Sequence, residues 1–183
     1  MHLEELQTER LLLRKFTPEL YKIVFDQYST REQMLVFAFE TETALHKEKE
    51  KYEKGISTHN KSFVNFKLFD KKSGLHIGNC GFHTWYTEHF RAEIGYDLID
   101  DVYKNKGFMT EALQTILAYG FTEMKLNRIE ALIGPNNIPS FKLLQKFGFR
   151  KEGHLREHYC KNGEIQDSVI YALLKSEYSN ASS

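Results

Sequence analysis

Hydrophobic and polar positions change their spacing several times along the chain, and each change predicts a different element. A mixed run of apolar and basic residues at 8–16 predicts an opening strand. Apolar residues at helical spacing behind Pro18 predict one helix that reaches about residue 39. The run at 41–56 carries opposite charges four residues apart, which is typical of a solvent-facing helix. The first third of the chain is therefore predicted to form one strand and two helices.

Alternating polar and apolar residues replace the helical spacing at 62–70 and predict a strand there. The turns "KKSG" and "TEH" connect it to two further predicted strands, at 75–86 and 90–99. Glycines inside the second of these strands indicate bends or bulges. Because the connections are short, the three strands are predicted to form an antiparallel meander.

A crossover unit follows the meander. A continuous apolar face from Met109 to Met124 predicts a helix that begins at Gly107. The short apolar run at 128–134 predicts another strand. Because a helix separates this strand from the strand at 90–99, the two are predicted to run parallel.

The last segment predicts one more helix, at 138–147, and a final hairpin that turns at 161–163 through Asn-Gly. The predicted fold class is α+β, a mixed but mostly antiparallel sheet flanked by helices. We expect one domain over 1–183, with a core at about 8–175 and a frayed C-terminal tail.

Composition narrows the classes of function. Lys and Arg together number 25, and so do Asp and Glu, so the chain lacks the basic excess of a duplex-binding protein. We therefore expect no nucleic-acid partner. The N-terminus has no signal-peptide pattern, and no apolar run is long enough to span a membrane, so we expect a cytoplasmic protein.

The cysteines and histidines predict neither a disulfide nor a metal site. Cys80 and Cys160 have no CxxC spacing, and we expect them to be reduced and not catalytic. None of the eight histidines forms a ligand spacing such as HExxH, so no metal is expected. His83 and His89 flank a predicted hairpin tip, where surface histidines more often have no role. For Asp167, after the final turn, we expect structural hydrogen bonding.

The stretch "KNKGFM" at 104–109 is a candidate phosphate-binding turn. A helix N-terminus offers unpaired N–H groups and a partial positive charge, and Gly107 allows close approach of the backbone. Lys104 and Lys106 would add positive charge. The alternative is a solvated strand-to-helix turn with two surface lysines, and on this stretch alone the two interpretations are even.

A second polar stretch, "GPNNIPSFKLLQKFGF", lies at 134–149, where the predicted strand ends and a helix begins. Asn137 and Ser140 stand at the helix start, with Lys142 and Lys146 farther along. The alternatives are that Asn137 caps the helix and that the lysines form one solvated face.

Together, "EIGYDLIDDVYKNKGFMTEAL", "NNIPSFKLLQKFGFRKEG" and "LREHYCKNGEIQDSVIYALL" resemble the GNAT superfamily of N-acetyltransferases. More narrowly, they resemble its RimJ/RimL-like branch, which acetylates protein N-termini or small amines. The resemblance extends from about residue 8 to 175. It implies a sheet that splays in the middle, with acetyl-CoA held in the splay.

The resemblance also assigns the cofactor contacts, with the pyrophosphate on the amides of a Q/R-x-x-G-x-G/A turn. Lys104 takes the Q/R position, Gly107 the first glycine and Met109 the final Gly/Ala, so two of the three places depart from the strict pattern. The backbone N–H of Met109 still suits a phosphate. The full predicted set is Leu98, Ile99, Lys104, Asn105, Lys106, Gly107, Phe108, Met109, Thr110, Asn137, Ser140, Lys142 and Lys146.

For the reaction, the resemblance implies direct attack of an amine on the thioester. The amine must lose a proton, and Glu93 is the candidate base, with an ion pair to Arg91 or Lys67 as the alternative. Ser140 is the candidate that protonates or orients the thiolate, against a hydrogen bond to backbone. Tyr96 is either a wall or donor of the pocket or a core residue with a satisfied hydroxyl.

The acceptor is left open by the sequence, as a protein N-terminus, possibly ribosomal, or a small amine. We expect 28–60 and 83–90 to line its side, with the aromatic candidates Phe37, Phe39, Trp85 and Tyr86. The protein is expected to be a monomer or homodimer. A different class of function, a non-catalytic acyl-CoA-binding or sensing module, is the alternative.

Overall fold

The structure is a computed structural model that describes residues 3–55 and 61–181. Its strands are β1 Glu5–Gln7, β2 Leu11–Phe16, β3 Ser62–Asp70, β4 His76–Tyr86, β5 Arg91–Leu98, β6 Arg128–Ile133, β7 Arg150–Lys161 and β8 Glu164–Leu174. Its α-helices are α1 Pro18–Gln27, α2 Thr30–Phe37, α3 Glu42–Glu53, α4 Phe108–Thr122, α5 Ile138–Lys146 and α6 Lys175–Ala181.

The eight strands form one mixed sheet in the order β1-β2-β3-β4-β5-β6-β8-β7. Strands β3, β4 and β5 form the predicted antiparallel meander, and β5 and β6 are the parallel pair. The remaining neighbours pair antiparallel. The predicted fold class and the crossover through α4 are therefore confirmed.

Two hydrophobic clusters cover opposite faces of the sheet. Along β3, alternate side chains point to opposite faces, so Phe66 and Leu68 belong to the cluster under α4. Phe63 belongs to an aromatic cluster under α1–α3 that also contains Phe16 and Phe37. Both faces of the sheet are thus buried at its centre. A polar side chain on β3, β4 or β5 is costly to bury there unless it has a structural or functional role.

The prediction of one helix from Pro18 to residue 39 is wrong. The chain forms two helices, because Ser29 has extended backbone and caps α2 through the N–H of Glu32, while the Glu32 side chain accepts from the Ser29 N–H. This capping box replaces the helical hydrogen bonds that a continuous helix would make. Strand β1 and helix α6 were not predicted either, and α6 includes part of the predicted frayed tail.

The final hairpin forms as predicted. Asn162 and Gly163 form its two-residue turn with φ of 54° and 83°, the left-handed values that a tight hairpin turn requires. Asp167 accepts hydrogen bonds from the Glu157 N–H at 2.8 Å and from His154 Nε2 at 2.6 Å. These bonds stabilise the irregular stretch of β7, so the expected structural role of Asp167 is confirmed.

Candidate active site

The centre of the sheet opens between β5 and β6. The two strands pair only from Arg91 to Glu93 and from Arg128 to Glu130, although β5 continues to Leu98. Beyond Glu93 the edge of β5 that faces β6 has no strand partner. A cavity of about 530 Å³ begins at this divergence, lined by Tyr96, Asp97, Leu98, Tyr103, Lys104, Asn105, Gly107, Phe108, Met109, Thr110, Asn137, Pro139, Ser140, Lys142, Leu143 and Lys146.

The turn before α4 presents free backbone donors to this cavity. Gly107 is the N-cap of α4 with φ of 80°, and Asn105 also has left-handed backbone with φ of 58°. No side chain caps the helix, and the first bond back to the cap comes from the Glu111 N–H. The N–H groups of the first turn therefore remain for a ligand, and the helix dipole favours an anion there.

The same turn is attached by Arg10 to the connection between β1 and β2. Its Nη1 donates to the Lys106 carbonyl at 2.9 Å, and its Nε donates to Glu111 at 2.7 Å. The guanidinium also lies 4.6 Å from the centre of the Phe108 ring. Burial would raise the pKa of Glu111, but hydrogen bonds from Thr8 and Arg10 lower it below its usual value. Arg10 therefore fixes the turn from outside the cavity, a role that the sequence did not reveal.

On the opposite wall, Asn137 caps α5. Its side-chain oxygen accepts from the Ser140 N–H at 3.2 Å, so the capping interpretation is confirmed. The cap uses only the Oδ1 atom. Because Asn137 also lines the cavity, its Nδ2 donors are available to a ligand.

We expect Asn137→Ala to weaken coenzyme A binding and to lower stability by about 1 kcal/mol, the usual cost of a lost cap. Isothermal calorimetry and thermal unfolding measure the two effects separately. Thr17→Ala is the matched control, because Thr17 caps α1, away from this cavity, through the Leu20 N–H at 3.4 Å. Equal coenzyme A affinity in the two variants would show that Asn137 only caps its helix.

Tyr96 places a buried polar atom in the cavity wall. Its hydroxyl is buried and has no hydrogen-bond partner among the residues that the structure describes. Burial raises the pKa of Tyr96 to about 12, and the nearby Ser140 side chain counteracts the rise. The Tyr96 hydroxyl and the Ser140 side chain thus lie near each other in the cavity wall, where both can donate hydrogen bonds to a ligand.

Most of the predicted cofactor contacts line one cavity. Two do not: the Ile99 N–H donates to the Ile77 carbonyl at 3.1 Å, and Lys106 is engaged by Arg10 through its carbonyl. Lys104 forms an ion pair with Asp101 while it lines the cavity. Tyr103, Pro139 and Leu143 were not predicted, because their positions depend on how the two helices approach each other.

Glu93 lies where β5 and β6 separate, and it forms neither of the ion pairs considered from the sequence. Arg91 pairs with Glu130 at 2.9 Å, whereas His83 Nε2 lies 3.5 Å from the Glu93 carboxylate. Burial raises the pKa of Glu93; the imidazoles of His83 and His158 oppose this rise, and the Glu130 carboxylate adds to it. Glu93 is therefore a half-buried carboxylate with a stronger tendency to hold a proton than a surface one.

No role was expected for His83 from the sequence, but its imidazole lies beside the Glu93 carboxylate. A β-bulge between Phe82 and Thr84 places it opposite β5, and its ring lies over Gly95. A Cβ atom at Gly95 would come within 2.6 Å of that ring, so the glycine makes room for the histidine. The glycines that predicted a bulge in β4 were the feature of the sequence that could have indicated this position of His83.

A second cavity, of about 440 Å³, lies beside the first under α1–α3. It shares Tyr96 and Asp97 with the first cavity. Its lining is Phe16, Tyr21, Phe39, Glu48, Lys51, Asn65, Phe66, Lys67, His76, Asn79, Cys80, Gly81, His83, Gly95, Tyr96 and Asp97.

Of the four aromatic candidates for the acceptor side, only Phe39 lines the second cavity. Phe37 is fully buried in the aromatic cluster, and Trp85 and Tyr86 lie elsewhere. Residues 56–60 of the proposed acceptor segment lie outside the described residues.

Within 3–55 and 61–181, no cluster of three or more histidine, cysteine or acidic side chains has a metal-binding arrangement. Over the same ranges, no helix is both long enough and apolar enough to cross a membrane.

Comparison with known proteins gives consistent matches. A family model described as an acetyltransferase (GNAT) domain matches residues 10–150. The uncharacterized N-acetyltransferase p20 of Bacillus licheniformis is 38% identical over 179 residues, which cover 96% of this chain and 99% of that protein. The ribosomal protein uS5-alanine N-acetyltransferase of Escherichia coli is 32% identical over 114 residues, covering 62% of this chain and 58% of that protein. Mutant forms of the spermidine/spermine N-acetyltransferase SpeG from Vibrio cholerae match with a TM-score of 0.68 and 25% identity, over 95% of this chain and 100% of that one.

Proposed function

Because the chain belongs to the GNAT family of acetyl-CoA-dependent N-acetyltransferases, we propose that it transfers an acetyl group directly from acetyl-CoA to a primary amine. The acceptor is the N-terminus of a protein, possibly a ribosomal protein, or a small molecule. Ribosomal-protein N-acetyltransferases of the RimJ/RimL-like branch are among its relatives. The observation that carries the proposal is the opening between β5 and β6, beside which lie two cavities that share Tyr96 and Asp97 in their linings.

The first cavity suits acetyl-CoA. The free N–H groups at the start of α4 can donate to the pyrophosphate, which supports the assignment of residues 104–110 to that contact. The unpaired edge of β5 at Leu98 offers backbone groups to the pantetheine arm. Lys142 and Lys146 add positive charge along α5. When bound, acetyl-CoA supplies the thioester that reacts.

In the proposed reaction the neutral amine attacks the carbonyl carbon, the new N–C bond forms and the C–S bond breaks. Glu93 accepts the proton that the amine loses, since its raised pKa brings it closer to working pH. The buried Tyr96 hydroxyl donates a hydrogen bond to the oxyanion. Ser140 donates a hydrogen bond to the departing thiolate and relays a proton to it from solvent, so that the hydroxyl is restored, and Glu93 releases to solvent the proton that it accepted.

The alternative of a non-catalytic acyl-CoA-binding or sensing module finds no support in these comparisons. All three matched proteins carry names of N-acetyltransferases. The second cavity, whose lining shares Tyr96 and Asp97 with the first, also provides space for a second substrate, which a sensor of acyl-CoA alone does not require.

Incubation of the protein with acetyl-CoA and a panel of amines tests the proposal. The panel contains peptides with N-terminal alanine or serine, spermidine and simple alkylamines. We expect amine-dependent release of coenzyme A, measured with a thiol-reactive dye and confirmed by mass of the acetylated product. Reactions without amine correct for hydrolysis and for the exposed thiol of Cys160. Coenzyme A release that no amine accelerates would contradict the proposed transfer.

A further inference from the structure

Lys67 is a buried cation that the proposed reaction does not use. Its side chain is 9% exposed, and it stands on β3 in a row that continues through Asn79 on β4 to Asp97 on β5. All three residues line the second cavity. Buried lysines are rare unless their charge is compensated, so its position beside a cavity requires a reason.

The protein satisfies this ammonium group only in part. Its Nζ donates to the Phe37 carbonyl and lies 5.5, 5.7 and 4.0 Å from the ring centres of Phe16, Phe37 and Phe39. An ammonium has three donors, and the carbonyl uses one. No carboxylate among the described residues is within ion-pair distance of it.

The nearest acidic side chain is already engaged. Glu48 accepts from the Tyr21 hydroxyl at 2.5 Å and pairs with Lys51 at 3.1 Å. Burial lowers the pKa of Lys67 to about 8, and Glu48 opposes this effect while Lys51 and Arg14 add to it. Lys67 thus lines the cavity with an ammonium group that one carbonyl and three aromatic rings compensate only in part.

The far end of the row that begins at Lys67 carries a carboxylate. Asp97 lies two strands away, accepts from Asn79 Nδ2 at 3.2 Å and also lines the cavity in which we place acetyl-CoA. Glu93 lies on the same strand and, by the alternation of β5, on the same face. A cation and a carboxylate thus stand at the two ends of this row, and the carboxylate end is the one shared with the first cavity.

We propose that the acceptor is a small amine that also carries a carboxylate, and that Lys67 binds this carboxylate. The inference rests on the proposed acetyl transfer and adds the chemical class of the acceptor. A carboxylate completes the hydrogen bonds of the ammonium and neutralises it. A polyamine would instead place a second cation beside a buried one, which is unfavourable. The cavity volume of about 440 Å³ is suited to a small molecule.

The test compares amines that differ only in the carboxylate. Glycine, β-alanine and 4-aminobutyrate are each assayed beside their own amides, with spermidine and an alanine peptide as the other classes of acceptor. For the carboxylate of the preferred length we expect kcat/KM to exceed that of its amide by about tenfold or more, the effect of one charge-assisted hydrogen bond. Calorimetry of the same pairs on the coenzyme A complex gives the ratio of affinities independently of turnover.

The variants Lys67→Met and Lys72→Met form a matched pair. Lys72 is exposed in the turn between β3 and β4 and lines neither cavity. We expect Lys67→Met to bring the ratio of acid to amide close to one, and Lys72→Met to retain it. The acid and its amide are compared in the same preparation of each variant, so the ratio does not depend on the amount of active protein. An unchanged affinity for coenzyme A shows that the variant is folded.

The outcomes separate the two proposals. Transfer to amides, spermidine or the peptide as efficiently as to every acid would overturn the assignment of Lys67 and leave the acetyl transfer intact. An acid preference that survives in Lys67→Met would overturn it as well. If no amine is acetylated, the proposed function is contradicted. Calorimetry still tests the carboxylate site in that case, because equal affinities for acids and their amides would overturn it.

Discussion

Replacement of Gly107 by valine is expected to reduce the affinity for coenzyme A by at least about tenfold. Gly107 has φ of +80°, a conformation that a β-branched residue adopts only with strain of about 1–3 kcal/mol. A Cβ atom there would also lie 3.3 Å from Arg10 Nη2, which belongs to the group that fixes this turn. The change therefore displaces the N–H groups that we assign to the pyrophosphate, and calorimetry with coenzyme A measures the loss.

Gly74→Val is the control for this prediction. Gly74 has a similar φ of +72°, and nothing lies within 4 Å of its Cβ position. It belongs to the turn between β3 and β4, outside both cavities. The two variants thus share the backbone strain, and only Gly107→Val should lose coenzyme A affinity. Equal affinities in the two would remove the pyrophosphate from this turn.

The second large effect is expected for Glu93→Gln, which should lower kcat by about a hundredfold or more. Glutamine keeps the shape of the side chain but does not accept the proton of the amine. Affinity for coenzyme A should stay unchanged, because Glu93 does not line the cavity assigned to the cofactor. Steady-state kinetics with a saturating amine, combined with calorimetry, separates the two quantities.

The pH dependence gives an independent check on Glu93. Because burial raises the pKa of Glu93, the wild-type rate should fall as the pH decreases through that raised value, and this fall should be missing in Glu93→Gln.

The stability of the protein should depend on pH in the same range. The folded state disfavours the charged carboxylate, so wild type should lose stability relative to Glu93→Gln as the pH rises through the same pKa. Glu88→Gln, at an exposed position, should behave as wild type in both measurements. Full turnover of Glu93→Gln at every pH would exclude it as the base.

The sequence predicted the elements whose causes are local. Alternation predicted the meander, the apolar face from Met109 predicted α4, and the Asn-Gly pair predicted the final turn. The break at Ser29 was missed, although the polar residues at 29–33 interrupt the apolar spacing and Ser29 and Glu32 have the Ser-x-x-Glu pattern of a capping box. A local competition between two hydrogen-bond patterns decided that boundary.

The candidate site was predicted less completely, because several of its contacts join distant parts of the chain. Arg10 meets Lys106 and Glu111, about one hundred positions away, and no spacing in the sequence indicates such a pair. His83 reaches Glu93 only because a bulge shifts the register between β4 and β5. Lys67 is buried only because helices α1–α3 pack over this face of the sheet. Nothing in the sequence around it distinguishes it from an exposed lysine on a strand.

The linings of the two cavities share Tyr96 and Asp97, and this arrangement bears on the order of events in the proposed reaction. If acetyl-CoA occupies one cavity and the amine the other, both substrates can be bound when the acetyl group moves. Initial rates measured at varied concentrations of both substrates should then give intersecting rather than parallel lines, without an acetylated form of the enzyme in between.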